Sequence, residues 1–307
     1  MKTKKILLGF FIAGSLAAQT VLIEGPVSGF IFDQSTGALR PIVGLPGAAY
    51  LGDPVITELS WAGVAPGGRW ALALRDGALI AVTGLRGPEP TWSPIESVQL
   101  TPDRAVWSED GSVALIYSTA TGAAQRIRGL TGMPVADEAV RLPGARALAV
   151  DAEGRIIAGM PEGVLLLGQD GASPLLPGLQ AVAIAVTGAN LLVAGSNGEV
   201  WWIRNYAGEA SAELLTSVED PVGVALSPDQ RQALIASRAE RAVLIYELAA
   251  RAPMARLVAD PEPSTLDRLS ERDLWLIRPS FGPSDPLLVL KTSPEAGIWF
   301  VPARKGE

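Results

Sequence analysis

The chain of 307 residues contains no histidine and no cysteine. Without an imidazole to activate a serine or a thiol, Ser-His-Asp and Cys-His catalysis are excluded. Haem ligation by either residue, and zinc or copper sites built on them, are excluded with it, and no cofactor is expected. Carboxylate acid–base work and metal binding through oxygen ligands remain open. The missing cysteine also rules out disulfides and lipid attachment at a processing site. Stability must therefore come from core burial, which a chain of this length can supply. Charge is scarce too, at 19% of residues with a net of -7 and no basic block. Binding to nucleic acid or anionic membranes depends on cations that neutralise phosphate, so no nucleic-acid partner is expected. The apolar runs past the N-terminus are short and broken by Gly, Pro or charge. None approaches the ~20 residues of a membrane-spanning helix.

What is present begins with Met1-Lys-Thr-Lys-Lys5, followed by an apolar run from Ile6 to Ala13 and then Gly14-Ser15-Leu16-Ala17-Ala18. A charged start, an apolar stretch and small residues at the cut make the tripartite pattern of a secretory signal. The sequence predicts a signal peptide over 1–18, cleaved after Ala17 or Ala18, and one domain over 19–307. That implies export to the periplasm or the extracellular space.

From about residue 59 one pattern recurs: an apolar strand, a tight polar turn, a second apolar strand, another turn, a third strand. It reads Trp61–Ala65, Pro66-Gly-Gly68, Arg69–Leu74, Asp76-Gly77, Ala78–Val82 in one copy. Later copies begin at Arg104, Ala145, Ala181 and Pro221, and a looser one holds Leu274–Ile277, Pro286–Leu290 and Gly297–Val301. Asp-Gly and Asn-Gly pairs supply the positive φ of two-residue hairpins, so consecutive strands are antiparallel. A turn-to-turn spacing of roughly 35 to 55 residues brackets that of four-stranded blades. The fold class is therefore all-β, a β-propeller of four-stranded antiparallel blades. Thr20–Ile23, Gly29–Phe32 and Leu39–Val43 form an incomplete N-terminal copy that helps close the ring and removes exposed edges. Seven blades result, or six if the N-terminal hairpin joins the last blade. Ser264–Asp273 reads as a short helix or loop insertion before that blade, with Ser264 as a cap.

The copy Val224-Ala-Leu-Ser-Pro-Asp229, with Ala233–Ala236 and Val243–Tyr246, resembles the repeats of exported bacterial propellers of the YVTN/lactonase-like group. In that group a Ser-Pro-Asp-Gly turn joins the innermost strand to the next. Gln230 stands where the turn glycine is usual, and Glu109-Asp-Gly111 and Pro66-Gly-Gly68 are degenerate versions. The resemblance implies a fold more than an activity. Its calcium-dependent lactonases use Glu, Asn and Asp from several blades around the central channel.

No residue is assigned a catalytic, cofactor-binding or metal role from the sequence. Asp33, Asp110, Asp151, Glu162 and Asp229 lie at or near turns, as do Asn190 and Asn197, and Asn205 is the one other asparagine. A calcium site needs six to eight converging oxygens, whereas turn chemistry alone accounts for these residues. Of the eight tryptophans, seven read as packing between blades. Adjacent Trp201 and Trp202 must point to opposite faces of one strand. Trp92, within Pro88–Pro94, is the candidate ligand contact, because prolines keep that segment out of a central strand. The arginines from Arg231 to Arg278 alternate with acids, as a solvated surface does. The function expected is a non-catalytic exported propeller, monomeric, that binds a protein, peptide or glycan partner. The alternatives are a calcium-assisted hydrolase of the lactonase type and a structural part of an envelope assembly.

Overall fold

The computed structural model describes residues 25–168, 171–269, 273–279 and 287–302. The signal peptide expected over 1–18 and the strand expected over Thr20–Ile23 lie outside the described residues. Within them the strands form seven antiparallel sheets in chain order, each a meander of neighbours. Blade 2 is typical, with strands Trp61–Val64, Trp70–Arg75, Ala78–Thr83 and Thr91–Pro94 from the axis outward. The innermost strands of blades 3 to 7 are Arg104–Trp107, Ala147–Val150, Ala181–Thr187, Pro221–Leu226 and Pro263–Arg268.

Near-continuous apolar runs arise because both faces of each blade are covered. Leu72 and Leu74 pack toward blade 3 while their neighbours Ala71 and Ala73 pack toward blade 1. The period of two is thus filled on both sides by apolar groups. Seven buried clusters result, one for each pair of adjacent blades. The last joins Ile31, Ile42 and Leu51 of blade 1 to Leu276, Val289 and Val301 of blade 7, and so closes the ring. The Leu51 N–H donates to the Pro302 carbonyl across the same seam at 3.1 Å.

The N-terminal strands make a blade of their own, Val27–Asp33, Ala38–Val43 and Tyr50–Leu51. The six-bladed alternative is thereby removed. Val27–Asp33 runs opposite to the innermost strands beside it. Gly29, near its start, meets Leu269 just past the end of Pro263–Arg268, and Gly37, past its end, accepts a bond from Leu59 just before Trp61–Val64. It therefore has the direction of a blade's second strand.

One expectation is corrected. The short helix or loop insertion expected from Ser264 gives way, over the described residues, to a strand: Pro263–Arg268 is the innermost strand of blade 7, paired Leu266 to Ile277 and Arg268 to Trp275. Ser264 does not cap a helix; its hydroxyl donates to the Arg278 carbonyl of the neighbouring strand. Non-local pairing overrides a local cap signal here.

Turn chemistry explains the Ser-x-Asp repeats. In Ser108-Glu-Asp110 the serine hydroxyl donates to Asp110 Oδ1 at 2.7 Å and accepts the Val113 N–H, while Asp110 accepts the Ser112 N–H. Ser227-Pro-Asp229 repeats this with Gln232 and Arg231. Gly111 has φ 69° at the left-handed position of the first turn, and Gln230 holds φ 57° at the same place in the second. Gln230 adopts this strained conformation while its amide oxygen accepts a 2.5 Å bond from Asn190 Nδ2 of blade 5. A side chain at that position ties two blades together, which glycine could not.

Candidate functional site: the central channel

The innermost strands surround an axial cavity of about 690 Å³. Its ring is tight because the residues that face neighbouring inner strands are small. A Cβ added to Gly223 would lie 2.7 Å from the main-chain nitrogen of Leu266. Each innermost strand of blades 2 to 7 pairs on one side only. Its other edge turns unpaired N–H and C=O groups toward the cavity, so the wall is polar despite its apolar side chains.

The mouth where the innermost strands end is crossed by Glu109 of blade 3. Its carboxylate accepts the Gly188 N–H of blade 5 at 3.0 Å and pairs with the Arg268 guanidinium of blade 7 at 3.2 Å. One side chain thus links three blades over the axis, with Arg268 largely shielded from solvent and Glu109 half-buried.

At the opposite mouth, where those strands begin, hydrogen bonds pass from blade to blade. The Trp61 indole donates to the Asp103 carbonyl at 3.1 Å, Arg104 to the Arg146 carbonyl at 3.1 Å, and Arg146 to Gln180 Oε1 at 3.3 Å. The acids that line this cavity are already engaged. Asp103 accepts the N–H and hydroxyl of Thr119, and Asp267 accepts Thr265 and Arg278. Among the described residues no three acidic side chains converge as a metal site requires.

The carboxylates singled out in the sequence are spread through the ring. Burial opposes ionisation of Asp33 and Asp110, but hydrogen bonds from Ser35 and Arg40 to the first, and from Ser108 and Ser112 to the second, outweigh it. Both carboxyls are held below the usual range. The Ser227 hydroxyl does the same for Asp229. Asp151 is buried between blades 4 and 5, where it accepts the Tyr206 hydroxyl at 2.7 Å and Arg155 Nε at 2.5 Å. Burial, with the Asp151 charge, pushes the Tyr206 phenol well above its ordinary value. Glu162 is exposed on a hairpin turn, Asn197 accepts the Glu199 N–H in another, and Asn205 holds φ 51°. None of these meets the others at the axis.

The tryptophans divide by burial. Trp201 packs in the interface of blades 4 and 5, and Trp202 in that of blades 5 and 6. Trp92 lies on the outermost strand of blade 2 and is 54% exposed. The Arg75 guanidinium sits 5.5 Å from its ring centre, beside a shallow depression lined by Pro54–Thr57 and Pro90. Sequence reasoning missed Arg104, Arg146 and Arg268 and read Glu109 only as part of a turn. Arg104 and Arg146 stand at the start of successive innermost strands, a signal that strict alignment of the copies exposes. The pairing of Glu109 with Arg268 has no local signal.

No protein-family model matches the chain, and no curated protein matches it. Solved structures do. Hydrazine synthase of Kuenenia stuttgartiensis superposes with a TM-score of 0.61 at 14% identity, over 93% of this chain and 99% of that one. A Lactobacillus plantarum protein gives 0.64 at 10% identity, over 89% of this chain and 95% of its own. PorZ, a bacterial surface component of the type-IX secretion system of Porphyromonas gingivalis, gives 0.59 at 14% identity, over 87% of this chain but 36% of that one. At these identities the likeness is one of fold alone, and with the seven closed sheets it makes this chain a seven-bladed β-propeller.

Proposed function

We propose that this propeller is an exported, non-catalytic binding protein that seats a protein, peptide or glycan partner on the ring face around its open channel mouth. One observation carries the reading: the carboxylates lining the channel, Asp103, Glu109 and Asp267, already hold protein donors. They serve the ring's own bonds, and among the described residues no three acidic side chains converge as a calcium site requires. Exposed Trp92, with Arg75 over its ring, offers a second contact on the outer rim. Export follows from the basic, apolar and small-residue order of the first eighteen residues. Kinship with the YVTN/lactonase-like repeats rests on the Ser227-Pro-Asp229 turn motif alone.

The test is capture of ligand from envelope extract and from peptide and glycan arrays, with metal analysis of the same preparation. Specific capture by protein free of divalent metal is the expected result. Stoichiometric calcium with turnover of a lactone, and no captured partner, overturns the reading. N-terminal sequencing of exported protein is expected to begin at Ala18 or Gln19, and retention of Met1 would refute export with cleavage.

A further inference from the structure

We infer that the open mouth of the channel is a carboxylate-binding site, formed by Arg104 and Arg146, that takes an acidic residue of an extended peptide segment. The inference rests on the binding role proposed above and names its ligand class. Four arginines line the cavity. Arg268 pairs with Glu109 and Arg278 with Asp267. Arg104 and Arg146 differ: they donate only to the Arg146 carbonyl and to Gln180, both side chains are exposed, and neither meets a carboxylate among the described residues. Two guanidiniums of adjacent blades thus face one cavity without an ion-pair partner among the described residues, in a protein whose net charge is -7.

Each guanidinium keeps donors beyond the one bond it makes, since the group has five N–H in a planar fork. That fork matches carboxylate and phosphate alike. The charge beside it favours the carboxylate. Asp103, next to Arg104 in the chain, lines the same cavity, and it repels a phosphate dianion about twice as strongly as a monoanion. Below the mouth, the unpaired edges of the innermost strands offer N–H and C=O groups. An extended peptide backbone can pair with such edges as an added strand does. Glu109 and Arg268 cross the far mouth, so entry is from the arginine side.

The probes are acetylated and amidated pentapeptides with a central Glu or Gln, each flanked by alanines. Inorganic phosphate and succinate serve as small-anion controls. Titration is followed by the Arg Nε–H signals in NMR spectra. The Glu peptide is expected to bind at least ~5-fold more tightly than the Gln peptide, an increment of the size of one ordinary net hydrogen bond, and to shift the Arg104 and Arg146 signals. That ratio should fall to about one in Arg104→Gln/Arg146→Gln and weaken with salt. Arg104→Lys/Arg146→Lys should retain part of it. Equal ratios in wild type and the Gln variant, or phosphate binding more tightly than the Glu peptide, overturn the inference. A partner captured by wild type, kept by the Gln variant and lost in Trp92→Ala also overturns it, while leaving the proposed function standing. An unchanged melting temperature verifies that the exposed substitutions keep the fold.

Discussion

Glu109 and Arg268 are separated by 159 residues yet meet at 3.2 Å across the channel. Replacing Glu109 by Gln keeps its shape and an acceptor for the Gly188 N–H but removes the charge that faces Arg268. The magnitude is set by how wet the pair is. Side-chain exposures are 15% for Arg268 and 33% for Glu109. Fully exposed pairs contribute about 0.2–1 kcal/mol, whereas removing one partner of a fully buried pair costs about 3–5 kcal/mol. This pair lies between those limits, so Glu109→Gln should destabilise by about 1–2 kcal/mol. For a domain of this size that lowers the melting temperature by roughly 2–3 °C. The decisive assay is a double-mutant cycle in urea with Glu109→Gln, Arg268→Gln and the combination. A coupling of about 1 kcal/mol is expected, within the range seen for residues in contact. The exposed pair Arg238–Asp220, at 43% and 46% exposure, should give less than about 0.5 kcal/mol in the same assay. A Glu109–Arg268 coupling no larger than that of the exposed pair would refute the cross-channel link.

Gly223→Ala should cost about 1–3 kcal/mol by urea unfolding, because its Cβ would press on the Leu266 backbone and not on a flexible side chain. The carboxyls of Asp33, Asp110 and Asp229 are held low in the folded protein. Their contribution is complete above the unfolded carboxylate value of about 4 and is lost as pH falls through the folded values. The triple Asn variant should therefore show a shallower acid limb when melting temperature is followed from pH 6 to pH 2. Tyr206 titrates above its ordinary value of about 10 when folded, so its stabilisation is full below that pH and declines above it. Tyr206→Phe should lose about 1.5–3 kcal/mol at pH 7 with the charge-assisted Asp151 bond, and should lose less further stability between pH 10 and 11 than wild type.

The paired inner and middle strands were legible because their signals are local. Asn197-Gly198 and Asp76-Gly77 impose hairpins, and the runs between them are apolar on both faces. Pro263–Arg268 was not legible. Ser264, Thr265, Asp267 and Arg268 carry polar side chains with a helix-cap spacing, and only the partner strand Leu274–Pro279 makes the segment extended. The outermost strands were equally faint. Thr91–Pro94 is exposed along its length, so no burial pattern marks it. The candidate site divides the same way: Trp92 stands out by its prolines, whereas Arg104 and Arg146 look like ordinary surface arginines until the ring sets them at one mouth.

From the sequence alone follow the absence of imidazole and thiol chemistry, the antiparallel hairpins and the repeated copies, because each depends on composition or on residues a few positions apart. The tertiary structure decided that the N-terminal strands form a blade of their own, that Glu109 meets Gly188 and Arg268 over the axis, and that two arginines share an opening without an ion-pair partner among the described residues. The reason is geometric. A propeller sets the starts of successive innermost strands side by side though they lie about forty residues apart in the chain. Charge and hydrogen-bond partners at the channel are therefore chosen by the closed ring and not by neighbours in sequence.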